Sequence, residues 1–155
     1  MKNNMLKIER IRTGVKAFIV HAGKILVVKE KVRREGEEVI LHDLPGGGVE
    51  LGESLHEALH REVFEEVGLK IEVTRPVGSW EFVVDTYENP ETGVHMVCLG
   101  YQCKLLGEPK VDTTNNPAQE DIFDTFWLSK DEILSSSDIL KNQDLRHALG
   151  NVRID

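Results

Sequence analysis

The amino-acid sequence predicts an α/β (α+β) fold in which helices pack on a mixed β-sheet. Three observations support this prediction. Apolar runs rich in β-branched residues lie both before and after residues 54–67, residues 54–67 repeat their apolar positions with a helical period, and turn-forming residues separate the runs. Strands on both sides of one well-formed helix are typical of a mixed sheet covered by helices.

Three strands are expected before the helix, at residues 15–20, 23–30 and 39–45. His21-Ala22-Gly23 suits a short hairpin between the first two strands. The charged residues 29–38 are expected to form a loop or a hairpin tip. Pro45-Gly46-Gly47-Gly48 then predicts an irregular loop, because consecutive glycines leave the backbone free to approach another group closely.

The central helix is expected to run from about Ser54 to Val67. Ser54 and Glu57 have the spacing of a capping box, in which a serine side chain accepts a hydrogen bond from the backbone three residues later. Gly68 is placed where a helix ends in the left-handed conformation. Both ends of this helix are therefore predicted from local sequence alone.

Four further strands and two helices are expected after the central helix. The polar segment 107–121 is expected to be a loop. The strands are expected at residues 70–78, 79–87, 95–106 and 122–128, and the helices at residues 130–135 and 138–149.

Composition narrows the classes of function. A chain of 155 residues fits one domain, here expected to span residues 1–155. The net charge of −8 argues against a nucleic-acid polymer or an anionic membrane as the partner. No signal peptide or long apolar segment is evident, so a cytoplasmic location is expected. Cys98 and Cys103 lie at an odd spacing on one expected strand, so they should face opposite sides of the sheet without pairing.

An acidic face on the central helix is the strongest candidate site. At 100° per residue, Glu62, Glu65 and Glu66 share one face, and Glu66 falls within the angular range of the apolar stripe. Like charges at this spacing repel one another, and a buried carboxylate costs free energy unless it is paired. A divalent cation would remove both costs, and hard cations such as Mg²⁺ prefer oxygen ligands together with substrate phosphates. The alternative is an ordinary solvated acidic face.

A second metal motif overlaps this helix. His56-Glu57-Ala58-Leu59-His60 has the H-E-x-x-H pattern of zinc peptidases, and Glu81 lies at a suitable distance downstream for a third ligand. The two histidines project from the helix well away from the three carboxylates, so they cannot share an ion with them. Zinc peptidase activity remains a remote alternative.

The helix and the loop before it resemble the signature of the Nudix hydrolases (MutT-like). Gly47, Glu53, Arg61-Glu62, Glu65-Glu66 and Gly68, with aliphatic residues at Val63 and Leu69, occupy every defined position across 23 residues. The resemblance extends over nearly the whole chain. It implies a Nudix-type α/β/α sandwich and hydrolysis, dependent on Mg²⁺ or Mn²⁺, of a nucleoside diphosphate linked to another moiety.

The resemblance also implies roles for individual residues. Glu62, Glu65 and Glu66 would hold the metal together with the Gly46 carbonyl, and Glu120 in the loop before the last strand is a further candidate. Glu62 is the first candidate for the general base and Glu120 the second. Arg61 would orient a neighbouring carboxylate, and Glu53 would brace the loop against the helix. The backbone of Gly47 and Gly48 would allow a diphosphate to approach.

Substrate selection is expected from residues outside the signature. Trp80 and Tyr87 are candidates for stacking on a base, although aromatic strand residues are more often core. Arg33 is a candidate for contacting terminal phosphates, although it also suits a solvated loop. The substrate is expected to be a nucleoside triphosphate, a dinucleoside polyphosphate or a nucleotide sugar. A catalytically weak nucleotide-binding regulator on the same scaffold is the alternative, and family similarity makes a homodimer possible.

Overall fold

A mixed β-sheet with helices on both faces forms the protein. The computed structural model describes residues 6–34, 36–86, 89, 91–116 and 121–154. The strands are β1 (Lys7–His21), β2 (Lys24–Arg34), β3 (Glu37–Asp43), β4 (Gly46–Gly48), β5 (Lys70–Asp85), β6 (Thr92–Leu106) and β7 (Asp121–Leu128). The helices are α1 (Leu55–Val67), α2 (Lys130–Ser135) and α3 (Gln143–Gly150). This arrangement confirms the predicted α/β/α architecture.

The long strands β1 and β6 pair in parallel and form the centre of the sheet. β5 pairs antiparallel with β6, and β4 pairs antiparallel with β1 over Gly14–Lys16. β1 meets β2 only next to their turn, after which β2 pairs antiparallel with both β3 and β7. β1 and β2 therefore separate away from their turn, and β4 pairs with β1 where they separate. Helix α1 follows β4 at this opening of the sheet.

Two apolar clusters cover the two faces of the sheet. α1 packs on one face through Leu59, Val63 and Val67, whereas α2 and α3 pack on the other. Cys103 belongs to the α1 cluster and Cys98 to the α3 cluster, and both thiols are free, as their odd spacing predicts. Burial raises the pKa of Cys103 to about 12, so this thiol is protonated at neutral pH.

Three parts of the sheet differ from the prediction. β1 begins at Lys7, because its polar first half pairs with β6 from Lys7↔Thr92 onwards. Residues 70–85 form one strand rather than two, since bulges between Val73 and Arg75 and between Pro76 and Gly78 absorb the proline and the glycine. Arg33 lies on strand β2, and residues 29–34 and 37–38, expected to form a loop or a hairpin tip, belong to the paired strands β2 and β3.

The glycine run also differs from the prediction, since Gly46–Gly48 is a short strand rather than an irregular loop. A Cβ at Gly46 would overlap the carbonyl oxygen of Val15 on β1. Gly46 also has a φ of 144°, which disfavours residues with side chains. As expected, the backbone at Gly46 approaches another group closely, and that group is the backbone of the neighbouring strand β1.

The helices follow the prediction closely at α1 and α2. α3 is shorter than expected, because Asn142 caps it and the preceding residues are irregular. None of the helices in the described ranges is long and apolar enough to span a membrane.

Candidate active site

Helix α1 carries the candidate site, and local sequence determines where it begins and ends. The Ser54 side chain accepts a hydrogen bond from the Glu57 backbone, and Gly68 ends the helix with a φ of 68°. Glu62 and Glu66 are 7% and 4% exposed, so the predicted burial of an acidic residue beside the apolar stripe is correct. The Glu65 side chain is 35% exposed and lies at the margin of the same face.

The buried carboxylates lie against the glycine strand. The backbone N–H of Gly46 donates to Glu66 Oε2 at 3.2 Å. A Cβ at Gly47 would lie 2.6 Å from the carboxyl carbon of Glu62, so only glycine leaves room for that carboxylate. β4 and α1 therefore meet through two glycines and two buried glutamates.

Arg61 donates hydrogen bonds to three of the acidic residues on α1 and in the loop before it. Its Nε and Nη2 donate to the two carboxylate oxygens of Glu53 at 2.7 and 2.9 Å. Its Nη1 donates to Glu62 at 3.0 Å and to Glu65 at 3.4 Å, and its Nη2 also reaches the Gly48 carbonyl at 3.0 Å. A paired guanidinium of this kind holds neighbouring carboxylates in one orientation. Arg61 thus ties α1 to the loop that precedes it.

The Arg61–Glu53 pair predicts how stability depends on pH. Hydrogen bonds from Arg61, and then from the Glu50 backbone, lower the pKa of Glu53 from 4.5 to about 2. Because the folded pKa is depressed, the stabilisation is present above about pH 4.5 and is lost as the pH falls through about 2. The difference in melting temperature between the parent and Glu53→Gln should be constant from pH 7 to 5 and should shrink below pH 4.5. A difference that is unchanged at pH 2, or that disappears by pH 6, would contradict this assignment.

The three carboxylates of the helix face are held by two different partners. Glu66 is bonded to Gly46, whereas Glu62 and Glu65 are bonded to Arg61. Within the described ranges, no three carboxylate, imidazole or thiolate side chains already surround a single point as metal ligands do. Glu120, the further ligand candidate, lies outside the described residues.

The histidines of the H-E-x-x-H pattern lie away from this face. His56 and His60 are exposed, and His56 makes an edge contact with the Tyr101 ring at 5.3 Å between centroids. Glu81, the possible third ligand of a zinc site, pairs with His95 Nε2 at 2.8 Å instead. The described part of the chain therefore offers these histidines no third ligand.

A cleft of about 220 Å³ opens on the α3 face of the sheet. Trp80 is 4% exposed, packs edge-on against Phe18 and also lines this cleft, so it is both a core residue and a wall of the cleft. The apolar lining consists of Leu41, Trp80, Phe82, Val84, Leu140 and Leu145. The polar lining consists of Lys16, Arg34, His42, Asp43, Asp138, Lys141 and Asn142.

Lys16 is the most buried charge in the cleft. Its Nζ donates to Asp43 Oδ2 at 3.0 Å and to the Leu44 carbonyl at 3.2 Å. Burial opposes its charge, but Asp43, Glu66 and Glu30 outweigh burial and hold the pKa of Lys16 above its ordinary value. Lys16 is therefore a permanent cation between the cleft and the carboxylates of α1.

The remaining substrate-binding candidates do not line the cleft within the described residues. Arg33 is exposed and does not line the cleft, whereas Arg34 does, because successive residues of a strand point to opposite faces. Tyr87 lies outside the described residues. Sequence reasoning missed Lys16 and Asp43. Lys16 could have been found because it is the lone charged residue within the apolar run 15–20.

A second, more open groove of about 390 Å³ lies between β5 and the end of α3. Its lining consists of residues 75–77 and 150–153 and includes none of the signature residues. The smaller cleft is the better candidate, because it contains Lys16, whose charge is coupled to that of Glu66 on α1.

Comparisons with known proteins point in the same direction. A family model described as NUDIX domain matches residues 10–149. The chain is 33% identical over 144 residues to a protein named nucleoside triphosphatase NudI from Klebsiella pneumoniae (strain 342), covering 90% of this chain and 92% of that protein. The protein of the same name from Enterobacter sp. (strain 638) is 35% identical over 95 residues, which span only 62% of its length.

Among solved structures, a MutT NUDIX hydrolase from Burkholderia pseudomallei superposes with a TM-score of 0.65. The two sequences are 27% identical, and the match covers 94% of this chain and all of the other chain.

Proposed function

Because this chain belongs to the NUDIX domain family of hydrolases, we propose that it hydrolyses a phosphoanhydride bond of a nucleoside diphosphate derivative with the help of Mg²⁺ or Mn²⁺. One observation carries the proposal. Two carboxylates, Glu62 and Glu66, are buried against the glycine strand at the opening of the sheet. Arg61 and Lys16 compensate part of this negative charge, and a divalent cation with a phosphate would add to that compensation.

The residues present fit a hard cation. The donors on offer are all oxygens, namely the carboxylates of Glu62, Glu65 and Glu66 and the carbonyl of Gly46. Glu120, which lies outside the described residues, would be a further oxygen donor. When bound, such an ion neutralises phosphate charge, acidifies water and stabilises the leaving oxygen. The half-buried position of Glu65 suits a ligand shared with solvent.

The chain's own residues would complete the chemistry. A water attacks phosphorus in line with a phosphate leaving group, and Glu62 would take the proton from that water. Arg61 would hold the Glu62 carboxylate in one orientation through the 3.0 Å hydrogen bond. Glu53 would in turn hold Arg61, so that the loop and helix stay in register during turnover.

The cleft would take the nucleoside. Its aromatic and aliphatic walls suit the faces of a base, and Asp43, which already accepts from Lys16 and the Leu44 backbone, has lone pairs left for the edge of a base. Trp80 keeps its role as a wall residue. A volume of about 220 Å³ accommodates a base, so the phosphates would lie outside the cleft. The relatives named nucleoside triphosphatase favour nucleoside triphosphates as the first substrates to test.

The test is a substrate panel. The purified protein is incubated with Mg²⁺ or Mn²⁺ and, separately, nucleoside triphosphates, dinucleoside polyphosphates and nucleotide sugars, and the products are separated by chromatography. Metal-dependent release of a nucleoside monophosphate from at least one class is expected. Binding without turnover of any class would favour the regulator. Peptide cleavage that needs zinc and is lost in a His56→Ala, His60→Ala variant would favour the peptidase.

A further inference from the structure

Arg12, on β1, lies directly over the glycine strand. A Cβ at Gly48 would lie 2.6 Å from Nε and 2.7 Å from Cζ of the Arg12 guanidinium. Any side chain at position 48 would therefore displace this guanidinium. Glycine at position 48 makes room for the Arg12 side chain in the same way as Gly47 makes room for the Glu62 carboxylate.

The backbone of Gly47 and Gly48 lies between the Glu62 carboxylate and the Arg12 guanidinium. Successive residues of a strand point to opposite faces, so Glu62 lies on the α1 side of β4 and Arg12 on the other side. The outer edge of β4 is not paired with any described strand. A group at this edge can reach the carboxylates on one side and the guanidinium on the other.

Arg12 is exposed and makes no hydrogen bond or ion pair within the described ranges. Arg61, by contrast, uses its guanidinium on three carboxylates and one carbonyl. A guanidinium has five N–H donors and keeps its charge at all ordinary pH values. In a chain with a net charge of −8, an arginine beside an acidic site that has no carboxylate partner among the described residues is available to an anion from outside.

The strand register places Arg12 on the face that bears the cleft. Arg12 is paired with Met96 on β6, and Met96 with Phe82 on β5, so the three side chains point to one side of the sheet. Phe82 lines the cleft, and so does Lys16, four residues further along β1 from Arg12. The guanidinium therefore lies at the β4 edge of the face that would receive the nucleoside.

We propose that Arg12 binds the phosphate next to the nucleoside, using its N–H groups as a fork on non-bridging oxygens. This proposal rests on the proposed function, since it assumes that the substrate is a nucleotide. A guanidinium in this role matches the planar, two-point geometry of phosphate oxygens, which a lysine does not reproduce. Gly48 then contributes by letting the guanidinium lie flat against the backbone.

The test compares Arg12→Ala and Arg12→Lys with Arg10→Ala, which removes an exposed arginine from the same strand. With the best substrate of the panel, Arg12→Ala should lower kcat/KM about tenfold, mostly through KM, as expected for losing one charge-assisted hydrogen-bonding group. Arg12→Lys should recover only part of the loss, and Arg10→Ala should match the parent. The melting temperature should be unchanged in all three.

Product inhibition provides a second readout. The inhibition constant of the nucleoside monophosphate should rise about tenfold in Arg12→Ala, whereas that of the free nucleoside should not change. Gly48→Ala should produce the same defect with Arg12 present, and the double variant should be no worse than either single variant. Equal loss for nucleoside and nucleotide, or strictly additive defects, would overturn the proposal.

The outcomes separate this proposal from the proposed function. If the parent hydrolyses nucleotides and Arg12→Ala behaves like Arg10→Ala, the phosphate role of Arg12 is wrong and the proposed function stands. If the parent binds nucleoside monophosphates without hydrolysing any nucleotide, hydrolysis fails, and calorimetry on Arg12→Ala decides the phosphate role alone. If the parent binds no nucleotide, both proposals fail.

Discussion

Replacing Glu66 by glutamine is expected to lower kcat by about 10²–10³-fold, as much as the removal of one preorganised hydrogen-bond donor costs in an active site. Glu66 is 4% exposed and accepts a hydrogen bond from the Gly46 backbone. Glutamine keeps an oxygen that can accept this bond, so the fold should survive, while the negative charge needed to hold a cation is lost. Steady-state kinetics at several Mg²⁺ concentrations measure the effect.

Glu57→Gln is the matched control, since it neutralises an exposed glutamate on the same helix. The control should retain the activity of the parent. The melting temperature of Glu66→Gln without metal should stay close to that of the parent, because the relief of like-charge repulsion on α1 is offset by the lost attraction to Lys16. Full activity in Glu66→Gln would show that the site is elsewhere.

Replacing Arg61 by alanine is expected to reduce kcat/KM by about 100-fold, at the upper end of what losing an orienting partner costs. Arg61 links Glu53, Glu62, Glu65 and the Gly48 carbonyl, so its removal leaves adjacent carboxylates facing one another. The melting temperature should also fall by about 5 °C, because the buried Glu62 loses its cation. Activity assays and thermal unfolding measure the two effects.

Arg61→Lys should rescue little, because an ammonium cannot span both oxygens of Glu53 and still reach Glu62. His60→Ala, which removes the exposed neighbour on the same helix, should change neither activity nor stability. If Arg61→Lys restored full activity, charge rather than geometry would be the contribution of Arg61.

Much of the candidate site was predictable, because α1 is a local structure. Its caps, Ser54 and Gly68, lie within a residue of its ends, and its period alone places Glu62 and Glu66 on one face. Burial of Glu66 followed from its angular overlap with the apolar stripe, and the structure agrees. Local rules suffice when the interacting residues are three or four positions apart.

The sheet was less predictable, because strands acquire their limits from partners distant in sequence. The first half of β1 is polar and is a strand only because β6 pairs with it. Pro76 and Gly78 look like breaks within β5, but bulges accommodate them while the pairing with β6 continues. Gly46–Gly48 is a strand because Gly14–Lys16 lies beside it.

The sequence by itself therefore determined the fold class, the family resemblance and the acidic face, because periodicity, capping and motif spacing are written in neighbouring residues. Only the tertiary structure decided which distant side chains meet. It placed Lys16 with Asp43, turned Arg34 rather than Arg33 towards the cleft, and set Arg12 over Gly48. These contacts depend on strand register and on the absence of a side chain at a glycine, and neither can be read from one segment alone.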